Sequence, residues 1–114
     1  MPNENPETKA VIPQGTLDLL ILKTLRPGPL HGLGVSRRIE QVTRGVFRVT
    51  PGSLFPALHR LEQQGWIAAH WRTSETGRDA RFYRLTAAGR KRLNEELANW
   101  ERLSRAVGLV IRHA

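Results

Sequence analysis

Cysteine is absent from the 114 residues. That excludes a disulfide framework, a thiolate metal site and a cysteine nucleophile, and it fits a reducing compartment, so a cytoplasmic setting is expected. Lysine is scarce. Three lysines, Lys9, Lys23 and Lys91, leave fifteen of the 18 basic residues as arginine. Long apolar runs are missing too. The longest, Leu19 to Leu22, is far too short to span a bilayer, so no membrane partner is expected. Residues 1–9 have no apolar centre and read as neither a signal nor a transit peptide.

What remains is a small, strongly basic chain, with net charge +8 and a pI near 11.4. One domain fits this length, and a core this small gains from further burial against a partner. A basic domain points to a polyanion. Arginine dominance favours nucleic acid, because the guanidinium fork matches phosphate oxygens and guanine edges.

Residues 1–12 hold prolines and asparagines with little apolar content and read as a flexible arm. Thr16 is the expected cap of a first helix, with Asp18 in its first turn. Leu17, Leu20, Ile21 and Leu25 recur at helical spacing, and Leu19 and Leu22 widen the stripe. So wide a stripe needs cover on more than one side, from the core and from a second subunit. Arg26-Pro27-Gly28-Pro29 is a breaker. A second helix is expected over 30–42, with Leu33, Val35, Ile39 and Val42 apolar and Arg37 and Arg38 outermost. Phe47 and Val49 suggest a brief extended segment.

Thr50 as cap and Pro51 at the first helical position open a third helix. Leu54, Ala57, Leu58 and Leu61 share one face. Gly52, Pro56, His59, Arg60 and Gln63 lie opposite, with Ser53 and Phe55 at the edges. Strand formers fill 66–74 and 80–85 around a tip at 75–79. Thr86 then caps a helix roughly 40 Å long at the standard rise. Its Leu93, Leu97, Trp100, Leu103 and Val107 approach a heptad seam, for which a second copy of the chain is the simplest cover. The fold expected is mostly α with a small β-hairpin: a winged helix-turn-helix over 13–85 and a dimerisation helix over 86–114. Leu17 and Leu20 join the seam residues as expected dimer contacts.

In a winged helix-turn-helix the third helix enters the major groove. Thr50 and Ser53 suit a phosphate at its N-terminus. Phe55, Pro56, His59 and Arg60 are candidates for bases and backbone; Arg60 suits a guanine, or else a surface salt bridge near Glu62 or with Asp79. Arg72, Arg78 and Arg81 in the hairpin suit phosphates or a minor groove, or else a solvated edge that deters strand pairing. Trp66 and Trp71 are expected to pack the hairpin on the helices. Trp100 is either interface core or one wall of a site for a small aromatic effector. The four histidines lack metal-ligand spacing, no phosphate-binding glycine loop follows a strand, and Ser53 has no base beside it. Neither an enzyme nor a cofactor is expected.

Gly15-Thr16-Leu17-Asp18-Leu19-Leu20-Ile21-Leu22, followed by Gly28-Pro29-Leu30-His31-Gly32, resembles the PadR family of bacterial transcriptional regulators. So do the run Pro51 to Glu62, the triplet Gly65-Trp66-Ile67 and the run Phe82 to Gly89. The resemblance implies a dimeric winged-helix repressor of a palindromic operator on double-stranded DNA, often released by a small molecule. Leu33 and Phe55 stand where the family often has tyrosine. The chain is short, like members with a single C-terminal helix. A basic module that docks RNA or protein without operator specificity stays open, since fold alone does not fix function.

Overall fold

The computed structural model describes residues 12–73 and 75–114. Most of the expected arm lies outside the described residues. Seven elements follow in order: α1 (Gln14–Leu25), β1 (Leu30–His31), α2 (Gly32–Val42), α3 (Pro51–Gln63), β2 (Ile67–Thr73), β3 (Asp79–Leu85) and α4 (Ala87–His113). The three strands form one antiparallel sheet in the order β1-β3-β2. This is the winged helix-turn-helix with a long last helix.

Helix α1 is the hub. It starts two residues before the expected Thr16 cap, because Pro13 sets the extended turn and its carbonyl accepts from Leu17 N at 2.9 Å. Asp18 is therefore past the first turn. Leu17, Leu19, Ile21, Leu22 and Leu25 are buried among α2, α3, α4 and β3. The wide apolar stripe finds its cover inside the chain. Leu17 is thus core and not a dimer contact, while Leu20 is only partly covered.

Asp18 faces α3 instead, accepting from Arg60 at 2.9 Å. Burial pushes its carboxyl above the usual range, against the pull of Arg60's hydrogen bond and charge; nearby Glu96 adds to the rise.

The second helix begins at Gly32, not at residue 30. Leu30 and His31 instead pair with Tyr83 and Phe82 at the open edge of β3. His31 then caps α2, its Nδ1 accepting from Gly34 N at 3.0 Å. Val35 and Ile39 are buried, but Leu33 and Val42 are exposed, contrary to expectation. One face of the 11-residue helix, with Gly32, Val35 and Ile39, reaches the core, and those two lie off it.

Thr50 caps α3 by accepting from Ser53 N at 3.3 Å, with Pro51 next. Leu54, Ala57, Leu58 and Leu61 are buried as the periodicity predicts. Gly65 ends the helix with φ 77°. The wing pairs Ile67 with Leu85 through to Thr73 with Asp79. Trp66 packs under the Arg92 guanidinium, 4.7 Å from the ring centre. Trp71 does not pack: it is 70% exposed, on the outer half of β2, whose residues 71–73 are all exposed.

Helix α4 is clamped to the start of the wing. Thr86 N donates to the Trp66 carbonyl at 3.1 Å and Thr86 Oγ1 to the Gly65 carbonyl at 2.7 Å. Gly89 N donates back to Thr86 Oγ1 at 3.0 Å, completing the cap. Gly89 is there because nothing larger fits: a Cβ would lie 1.9 Å from the Trp66 carbonyl oxygen. Leu93 is fully buried within the chain, so it too is core and not a dimer contact; Leu97 is partly covered. Beyond Leu97 nearly every residue of α4 is exposed. The overhang gives a radius of gyration of 15.9 Å, against about 13 Å for a compact chain of this length.

Alanine normally stabilises a helix interior by ~1 kcal/mol over glycine. At residue 89 the sign reverses. Gly89→Ala is expected to cost about 1–3 kcal/mol through overpacking against backbone. Urea unfolding checks this; an equal or more stable variant would mean that the junction can open.

Candidate nucleic-acid interface

The buried leucines of α3 fix which arc is left over. Ser53, Phe55, Pro56, His59 and Gln63 are exposed on it, as is the cap residue Thr50. The Thr50 hydroxyl is already engaged, accepting from Ser53 N and lying 3.4 Å from Ser53 Oγ. Pro56 has no N–H to give to the carbonyl of Gly52, four residues back. Phe55 is 45% exposed, yet its position is constrained. Its ring sits where a Cβ on Gly32 would come within 3.0 Å, so the start of α2 is shaped to receive it.

Arg60 is placed differently from its neighbours. Its guanidinium is held by Asp18 on α1, and Arg60 Nε is buried without a partner. The salt bridge foreseen as the other role of Arg60 exists, though with a carboxylate 42 residues away in sequence. Reading a guanine would require breaking it. His59 makes no hydrogen bond or ion pair among the described residues.

On the wing, Arg81 is held by Glu62 of α3 at 2.7 Å. The Tyr83 phenol beside them is pushed up by burial, opposed by Arg81 and assisted by Glu62. Arg72 lies over the Phe82 ring, 4.4 Å from its centre. His70 stacks near the same ring and His31 meets it edge-on. Phe82 therefore orders a cation at the wing surface, at a distance typical of cation–π contact. Arg78, beside Gly77 at the tip, makes no ion pair among the described residues. Between wing and helices runs a groove of about 710 Å³, whose walls include Phe55, Arg37, Arg72, Arg78 and Arg81. The structure thus brings Phe55, Arg72, Arg78 and Arg81 to one concavity; Thr50, Ser53, Pro56, His59 and Arg60 are not among its walls.

Sequence reasoning missed the roles of Arg37 and Phe82. Arg37 is outermost on α2, as its spacing indicates, but only the packing of α2 beside the wing brings it to the groove. The part played by Phe82 depends on the register that sets it opposite His70 and His31.

On α4, Trp100, Leu103 and Val107 are about half exposed, at 47%, 51% and 47%. A hollow beside them is formed by the start of α1, including Pro13, Thr16 and Leu19, and by Glu96, Asn99 and Trp100. No helix among the described residues is long and apolar enough to cross a membrane.

Three comparisons bear on this arrangement. The model of the transcriptional regulator PadR-like family matches residues 21–95. The transcriptional regulator Rv3488 of Mycobacterium tuberculosis is 38% identical over 89 residues, which cover 78% of this chain and 79% of that one. A PadR family transcriptional regulator of known structure from Eggerthella lenta is 30% identical, with TM-score 0.75 and coverage of 89% of this chain and 86% of its own. A PadR-like regulator from Bacillus cereus has the same fold at TM-score 0.77, with 23% identity and coverage of 89% and 96%. A winged helix-turn-helix with a free α3 arc and a basic wing, matched over most of its length at this level of identity, belongs to the PadR-like family of DNA-binding transcriptional regulators.

Proposed function

We propose that the chain is a repressor that binds a palindromic DNA operator as a homodimer in the cytoplasm. Residues 13–85 form the DNA-binding unit and residues 86–114 the dimerisation helix. The observation that carries the reading is the exposed Thr50–His59 arc of α3, anchored from behind by four buried residues. That arc enters a major groove, with Ser53, Phe55, Pro56 and His59 toward bases and Thr50 toward the backbone. Arg60 stays on Asp18 and fixes α3 against α1. Arg72, Arg78 and Arg81 meet phosphates from the wing.

The dimer is built on the part of α4 that its own protomer leaves bare. Trp100, Leu103 and Val107 form the apolar seam, with Leu97 and Leu20 at its inner margin. Trp100 also walls the hollow against α1, which suits a flat aromatic effector. Such a ligand releases the operator by altering how the two α4 helices meet.

Competition binding tests the central claim. Selected operator duplex should be preferred over random duplex by about 10³-fold or more at matched salt. A chain that binds both equally, or prefers RNA, would be a general docking module instead. Replacing Trp100 and Val107 by glutamate should give folded monomers, since neither side chain supports the protomer core. Unchanged sedimentation mass would reject the seam. In a chain with Trp66 and Trp71 changed to Phe, planar aromatic compounds should quench the remaining Trp100 emission; no quenching across a broad panel would reject the effector site.

A further inference from the structure

Arg44 is the only non-glycine among the described residues with a left-handed backbone, at φ 53°, and Gly45 follows at φ 81°. L side chains avoid this region because Cβ crowds the following carbonyl; Gly, Asn and Asp tolerate it. The turn needs no arginine. Arg44 N donates to the Gln41 carbonyl at 3.1 Å, and Gly45 N to the Glu40 carbonyl at 2.9 Å. Phe47 N donates to Thr43 Oγ1 at 3.1 Å. All are bonds from backbone N–H groups that a glycine at 44 would leave intact.

The arginine side chain gives nothing back to the fold. It is exposed and makes no ion pair among the described residues. A residue kept in a costly conformation without internal contacts directs attention to an outside partner.

The surroundings define that partner's chemistry. Arg44 shares a hollow with Arg37, Glu40, Gln41 and Gly45. Glu40, 3.8 Å from Arg48 in an exposed pair, is the carboxylate on this hollow and is outnumbered there by the two arginines. Arg37 also lines the groove under the wing, together with Phe55 and Arg78. Arg37 therefore borders both hollows and links the wing groove, where arginines outnumber Glu75 and Asp79, to the turn before α3.

We propose that Arg37 and Arg44 form a phosphate track that carries DNA contact from the wing groove to the α2–α3 turn. The track rests on the reading of the chain as a DNA-binding protein and adds to it a backbone contact beyond those of the wing and Thr50. Guanidinium groups match phosphate oxygens, and the helix before a recognition helix crosses the DNA backbone.

The test is the salt dependence of binding to a random-sequence DNA duplex, followed by fluorescence anisotropy, for the full chain. Arg44→Gly should keep or raise the Tm, weaken binding several-fold, and lower the slope of log K against log salt by about 0.9 for the lost contact. Arg37→Ala together with Arg44→Gly should lower it by roughly twice that. Arg44→Asn, which also suits the left-handed turn, should behave as Arg44→Gly and guards against an effect of glycine itself. Unchanged slope and affinity in all three variants would overturn the track. Falling slopes without any operator preference in the wild-type chain would leave the track standing and remove the repressor reading. Operator preference with unchanged slopes would do the opposite.

Discussion

The approach of Gly89 to the Trp66 carbonyl is the constraint on which the rest is arranged. Through it the first turn of α4 lies directly on the strand that leaves α3. Thr86 ties the same two segments with two hydrogen bonds and caps α4 with a third, and Arg92 closes over Trp66. A helix cap of this kind is ordinarily worth ~1 kcal/mol. Here it also fixes direction. The recognition helix and the protruding helix become one piece, with only Gln64, Gly65 and Trp66 between the end of α3 and β2.

Around that junction apolar surface is divided unequally. The helix α1, apolar almost all round, is satisfied inside the protomer because four elements lean on it. The helix α4 is satisfied only as far as Leu97. Its outer half keeps Trp100, Leu103, Val107, Leu109, Val110 and Ile111 in water. That much unpartnered apolar surface, all but Leu109 toward one face of the helix, is the mark of an interaction face. Charge is divided as well. Arg48, Arg60, Arg81, Arg92 and Arg105 are neutralised by carboxylates. Of the ten arginines without a carboxylate partner among the described residues, Arg37, Arg44, Arg72 and Arg78 line the wing groove or the α2–α3 turn.

Local signals were the legible ones. Thr50 with Pro51, Thr86, and the leucines at 54, 58 and 61 announce α3 and α4 from sequence, because caps and periodicity act over a few residues. Gly77 between two runs of strand formers announces the wing. The illegible features all need distant partners. Leu30 and His31 become a strand only because β3 presents an open edge to them. Arg60 turns to Asp18 only because α1 and α3 cross there. Leu17 and Leu93 fit a dimer stripe as well as a core stripe by spacing, and the fold alone assigns them to the core. Thr16 shows a failing of another sort: a good cap residue lost to Pro13, whose backbone geometry started the helix first.

The clamp at Gly89 has a consequence for how such a protein measures DNA. In a pair joined through α4, no flexible linker separates the joining surface from the reading surface. The distance between the two reading surfaces is then set by how the α4 helices cross, much as a caliper is set at its pivot. Successive major-groove faces recur about every 34 Å along the duplex, so a rigid caliper tolerates changed bases far better than a changed spacer. Divergence of binding sites among such chains would be expected in letters, with the interval between half-sites held constant.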